Sequence, residues 1–229
     1  MNGRDTILGR IREALRLAAP APGSHGHEAH GAVGVPGGDA FREWLPAVGP
    51  GPDDWVARFA ACSEGLRTRF EECASDADAL ARLAAIANEE GWERVASHRS
   101  EPARSLASGL ELPVLWTDDG YSPDAMEGCD AGISCCDALV AQTGGVVLTS
   151  RSGGGRALSI LPPHHVVVAR RAQLVPDLPA AFALLQQRYG AGYPSMMTFI
   201  TGPSRTGDIE RILVLGAHGP KRLTVLLLP

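Results

Sequence analysis

Beyond Met197 an apolar run stops at Gly202-Pro203 and gives way to Ser204-Arg205-Thr206-Gly207-Asp208-Ile209-Glu210, and a continuous apolar run resumes only at Ile212. A connection needs turn residues, but not this density of hydroxyls, carboxylates and a guanidinium. Hydroxyls and backbone donors at the start of a helical turn would suit an anion, with Asp208 or Glu210 holding Arg205 in place. A reciprocal capping box does not account for them, because Gly207 and Ile209 stand three residues beyond Ser204 and Thr206. A purely structural loop is the alternative reading.

Ser152-Gly153-Gly154-Gly155-Arg156 is a second candidate. Glycines allow successive N–H groups to converge on an anion, and a flanking guanidinium adds two parallel hydrogen bonds. The competing reading is a hairpin loop with solvated arginines. The stretch lacks the G-K-[ST] ending of a P-loop and the G-x-G-x-x-G spacing of a dinucleotide fold, so neither ATP nor NAD, nor any other cofactor, is expected. His164-His165 opens an apolar run, and extended chain sends the two imidazoles to opposite faces, so only one should meet a given cleft. His165 is a candidate acid/base or ligand contact, or else a satisfied structural histidine. His218, between Gly216-Ala217 and Gly219-Pro220, is either a second site imidazole or a turn residue bonded to local carbonyls.

Together with Ala141-Gln142-Thr143-Gly144-Gly145-Val146-Val147-Leu148 and Leu161-Pro162-Pro163-His164-His165, these segments resemble the LUD family, and within it the lactate utilisation protein C group. The order of several motifs from about Ala138 to the C-terminus carries the resemblance. It implies a three-layer α/β fold with a mostly parallel sheet, similar to the NagB/RpiA/CoA-transferase group. It also implies a role in oxidising L-lactate to pyruvate beside iron–sulfur subunits. In that setting the chain would be a non-redox accessory subunit that binds a small organic anion or a partner surface. The matching ligand-binding candidates are Gln142, Thr143, Gly153, Gly154, Gly155, Arg156, Ser204, Arg205, Thr206 and Asp208. Two positions depart from the pattern: His164 replaces a small or apolar residue, and Gln142 replaces an acid, which removes a possible base while keeping hydrogen bonds. The alternative is a free-standing CoA-transferase-like or isomerase-like enzyme acting on a carboxylate or phosphate through Arg156, Arg205 and a histidine. No glutamate in a recognisable nucleophile motif supports covalent CoA transfer. A sensor of lactate or pyruvate is a third reading.

Composition narrows the field. The 229 residues carry a formal net charge of −5, so no global positive field attracts nucleic acid. Cys62, Cys73, Cys129, Cys135 and Cys136 are odd in number and lack C-x-x-C spacing, which argues against a disulfide framework or a self-contained iron–sulfur site. Cys135-Cys136 reads as small packed residues or as a redox pair. His25, His27 and His30 lie in a solvated arm and make a poor metal site, so no metal is expected. Charges interrupt the N-terminal apolar residues and no membrane-length apolar run occurs, so the expectation is a cytoplasmic protein.

The elements that must position these groups follow from periodicity. Residues 1–50 comprise an amphipathic helix over Arg4–Leu17 and an Ala/Pro/Gly/His-rich linker; residues 51–229 form the α/β domain. Asp53 or Asp54 should cap a helix bearing Trp55, Val56, Phe59, Leu66 and Phe70, and a second helix spans Asp76–Glu90 and ends at Gly91. A third runs over Pro179–Tyr189. Strands are expected at Arg94–Ala96, Pro113–Thr117, Gly145–Thr149, His165–Ala169, Met197–Thr201 and Leu223–Leu228, in a largely parallel sheet with the last strand central. For function, segments about fifty positions apart, at Gly154 and Thr206, would have to line one electropositive pocket at strand ends.

Overall fold

The computed structural model describes residues 46–206, 214–215 and 218–229, and Pro46–Pro229 form one compact unit. The expected helix over Arg4–Leu17, the histidines of the linker and Asp208 lie outside the described residues.

In chain order the elements are α1 (Pro52–Leu66), β1 (Arg69–Glu72), α2 (Asp76–Glu90), β2 (Val95–Ser97), α3 (Ala103–Gly109), β3 (Val114–Trp116), α4 (Pro123–Glu127), β4 (Ala131–Ser134), β5 (Ala138–Val140) and β6 (Gly145–Thr149). There follow β7 (His164–Arg170), β8 (Leu174–Val175), α5 (Leu178–Tyr189), β9 (Met197–Ile200), β10 (Arg205–Thr206), β11 (Val214–Leu215) and β12 (Arg222–Leu228). Six strands form an all-parallel sheet in the order β1-β12-β7-β4-β2-β3. The chain is therefore α/β, and β12 is an interior strand as its unbroken apolar run requires.

Side chains of β7 alternate between two cores. Val166 and Val168 join Leu226 and Leu228 beneath α2 and α3, where Leu83, Ile86 and Leu106 are buried. Val167 and Ala169 join Leu223, Val225 and Leu227 on the other face, against Leu139, Val146 and Leu148 of a second sheet. That sheet has the order β8-β5-β6-β9 and mixed pairing, with α5 on its outer side. The strands expected at Gly145–Thr149 and Met197–Thr201 are thus antiparallel neighbours in this sheet (β6 and β9), not members of the parallel one. The turn at Gln142–Gly144 joins β5 to β6 as an antiparallel hairpin, which carries the chain into this sheet by a short connection.

Local capping explains the boundaries. Helix α2 starts at Ser75, whose hydroxyl accepts the Asp78 N–H at 3.1 Å, and ends at Gly91 with φ 66°. The first helix corrects the sequence reading twice. Its N-cap is Gly51, whose N–H donates to the Asp54 carboxylate at 3.1 Å, and Phe70 lies on β1 beyond the helix end. Arg67 adopts φ 60° there, so an arginine takes the left-handed turn usually given to glycine.

Candidate functional site

The parallel sheet places Arg222, His164, Ala131 and Val95 in one row at its amino-terminal edge. Beside that row, between β7/β12 and the second sheet, lies a cavity of about 370 Å³. Its polar walls come from four separated segments: Arg156, His165, Ser204 and His218. Its apolar walls come from Ile160, Met196, Ile200 and Leu223. The sequence candidates His165, Arg156, Ser204 and His218 therefore do converge on one space. It sits at the amino ends of the strands, whereas sites in open α/β sheets usually gather at the carboxyl ends.

His165 is the anchor of this wall. It is 1% exposed, and its Nε2 lies 2.9 Å from Ser134 Oγ on the neighbouring strand. Its Nδ1 is buried and has no partner among the described residues. Burial pushes the imidazole down to about 3, with His164 adding to the effect. At neutral pH it is an uncharged donor or acceptor, too weak a base to exchange protons efficiently there. His164 points to the opposite face, as the strand period demands; its Nε2 meets Thr224 Oγ1 at 2.8 Å and Trp92 packs edge-on against it. Arg156 and His218 are exposed, so the cavity combines one solvent-accessible guanidinium with the buried neutral ring of His165. Its wall is more apolar than the electropositive pocket expected from sequence.

The other candidates stand elsewhere. Gly154 (φ 64°) packs flat on the buried His98, and an added Cβ would lie 2.8 Å from that ring. Gly153, Gly154 and Gly155 are not on the cavity wall; the triplet lets the chain cross closely over the sheet before Arg156. Gly154→Ala is expected to cost about 1–3 kcal/mol, since it combines a left-handed backbone with overpacking. Urea unfolding checks this, and an unchanged midpoint would mean the loop yields freely. Gln142 Nε2 donates to the Pro46 carbonyl at 3.2 Å, and Thr143 Oγ1 is buried in the β5–β6 turn without a partner among the described residues. The Arg205 guanidinium donates to the Leu66 carbonyl at the end of α1, a position where a cation complements the helix terminus. Thr206 pairs its backbone antiparallel with Val214, and the helical turn expected beyond it falls on residues 207–213, outside the described residues. Gln142, Thr143, Arg205 and Thr206 do not line the cavity.

Two features escaped the sequence reading. Asp137, fully buried, accepts hydrogen bonds from Ser152 Oγ (2.5 Å), Arg188 Nη1 (2.7 Å) and the Tyr189 hydroxyl (2.7 Å). Burial alone would raise its carboxyl, but these bonds outweigh that and hold it below the usual range. This network ties the Gly-rich loop to α5. The second is the apolar cavity wall, whose residues are unremarkable as types. The cysteines settle as packing residues: Cys135 and Cys136 are buried, unpaired and in different cores, and burial pushes both thiols up.

Comparisons place this geometry among known proteins. The family model described as LUD domain matches residues 122–228. A protein from Geobacillus thermodenitrificans (strain NG80-2) called lactate utilization protein C is 36% identical over 235 residues, covering 97% of this chain and 94% of that protein. A namesake from Geobacillus sp. (strain WCH70) is 38% identical over 105 residues, a match spanning less than half of its length, 44%. The crystal structure of a DUF162 family protein from Deinococcus radiodurans superposes with a TM-score of 0.63 at 23% identity, covering 78% of this chain and 99% of that one; it has the same fold. Among the described residues no helix is long and apolar enough to cross a membrane.

Proposed function

This chain belongs to the LUD domain family, and we propose that it serves lactate utilisation in the cytoplasm as a non-redox accessory component of L-lactate oxidation, binding a small organic anion and docking on an iron–sulfur partner. The names of its relatives support the process. The observation that carries the binding role is the convergence of Arg156, His165, Ser204 and His218 on one partly apolar cavity. A carboxylate suits the Arg156 fork and the Ser204 hydroxyl, and a short carbon chain suits Ile160, Met196 and Leu223. His165 then offers its unpartnered Nδ1 as an orienting contact. With an imidazole so weakly basic, binding is better supported than acid–base turnover. A three-carbon acid fills only part of the space, which leaves room for a longer acid or for a partner's side chain. The N-terminal amphipathic pattern and linker of residues 1–50 supply a docking element of the helix-in-groove type.

Calorimetry on the full chain with L-lactate and with pyruvate tests the binding role. One of them should bind saturably, and Arg156→Ala should weaken it by about tenfold or more, the worth of a charge-assisted hydrogen bond. Equal affinity in the variant would sink the site. Deletion of the gene should impair growth on lactate, and the tagged chain should co-purify with a protein showing iron–sulfur absorbance. Binding without a growth defect would favour a sensor.

A further inference from the structure

The opposite face of the same sheet edge holds a second cleft. There the C-terminal end of α2 meets the amino ends of β1, β12 and β7. Two hollows of about 230 and 490 Å³ share His164, Glu90, Lys221 and Arg222 as walls. Arg67 and Arg69 complete the first hollow, and Asp130 and Trp92 the second. Four cations thus gather in a chain whose net charge is −5.

Their states differ. Arg69 is held by Glu71 and Glu89 at 3.0 Å each, and Arg222 pairs with Glu90. Asp130 accepts the backbone N–H groups of Glu93 and Arg94. Arg67 and Lys221 have no carboxylate partner among the described residues, so two positive charges face the first hollow uncompensated, and the Asp130 carboxylate lines the second hollow and not this one. Deep in the wall stands His164, 4% exposed, with Nε2 on Thr224 and Nδ1 buried and unpartnered among the described residues. A buried polar nitrogen left open costs stability unless something meets it.

We propose that this cleft is a second anion site, separate from the cavity on the other face, and that it takes a dianionic phosphoryl group. Two uncompensated cations match a charge of about −2, which a phosphate monoester carries near neutral pH and a simple carboxylate does not. A phosphoryl group also presents enough acceptor oxygens to meet Arg67, Lys221 and the His164 Nδ1–H together.

Titration of the full-length chain with inorganic phosphate, followed by calorimetry, tests the assignment. Saturable binding is expected. Lys221→Ala and Arg67→Asn should each weaken it by about tenfold, asparagine being chosen because it tolerates the left-handed backbone at position 67. His164→Leu should do the same, while Arg156→Ala should leave phosphate affinity unchanged. Lys221 and Arg67 are exposed, so those two variants report binding without a folding defect. No saturable heat at millimolar phosphate, or loss in Arg156→Ala with none in Lys221→Ala, would overturn the proposal. Because lactate binding is read separately through Arg156→Ala, failure of either site leaves the other standing.

Discussion

Replacing Asp137 with alanine should lower the unfolding free energy by about 2–4 kcal/mol, the cost of leaving hydroxyl donors without their acceptor. The carboxylate is fully buried, and its three donors come from the Gly-rich loop and from α5. Removing it strands the Ser152 hydroxyl and the buried Tyr189 hydroxyl, while Arg188, which is half exposed, can turn to water. Asp137→Asn keeps the shape and part of the hydrogen bonding, so it should cost less than alanine. Because the folded carboxyl is held below its ordinary value, its contribution is present above the unfolded pKa and is lost as pH falls through the folded one. Urea unfolding of the two variants at pH 7 checks the ranking. Asp137→Ala with a wild-type midpoint would mean the network is not a structural clamp.

Acidification from pH 7 to pH 5 should destabilise the protein steeply, well before most carboxylates titrate. His164 and His165 are held neutral, at about 4 and about 3, chiefly by burial, with Arg69 and His164 respectively adding to it; burial lowers His98 as well. The unfolded chain protonates these rings near 6.5, whereas the folded chain does not. Their stabilisation is therefore complete above about 6.5 and drains away as pH drops toward the folded values. His164 and His165 should each contribute a loss of about 2 kcal/mol by pH 5, from roughly 1.4 kcal/mol per pH unit. Denaturant midpoints at pH 7, 6 and 5 measure the slope. His165→Gln should flatten it by one proton's worth, and a midpoint that stays constant over this range would contradict the burial of the neutral rings.

Much of the scaffold was legible because periodicity and caps agreed. Helix α2 occupies the residues its pattern names, with Ser75 and Gly91 at its ends, and α5 begins one residue before its expected start. Strand β1 was not legible. Phe70 continues the apolar spacing of Phe59 and Leu66, and only Arg67 in a left-handed turn breaks the helix. Strands β4 and β5 were also hidden, since Ala131-Gly132-Ile133-Ser134 has weak strand propensity. Its small residues are needed because Leu158 lies against Gly132, where an added Cβ would be 2.3 Å from the Leu158 carbonyl oxygen. In the candidate site, Arg156, His165, Ser204 and His218 were picked out by type and motif. Gln142 and Arg205 matched motifs equally well, yet their side chains donate to the Pro46 carbonyl and to the end of α1, and Thr143 is buried in the β5–β6 turn.

The order of residues alone determined the α/β class, the main helices, the family and the opposition of His164 to His165, because these depend on local period and on motifs along the chain. Tertiary structure alone decided which polar residues share a space, that β6 and β9 leave the parallel sheet, and that a second cationic cleft forms on the far face. Those outcomes depend on which segments, tens of residues apart, bury their apolar sides against one another, and no local pattern encodes that pairing.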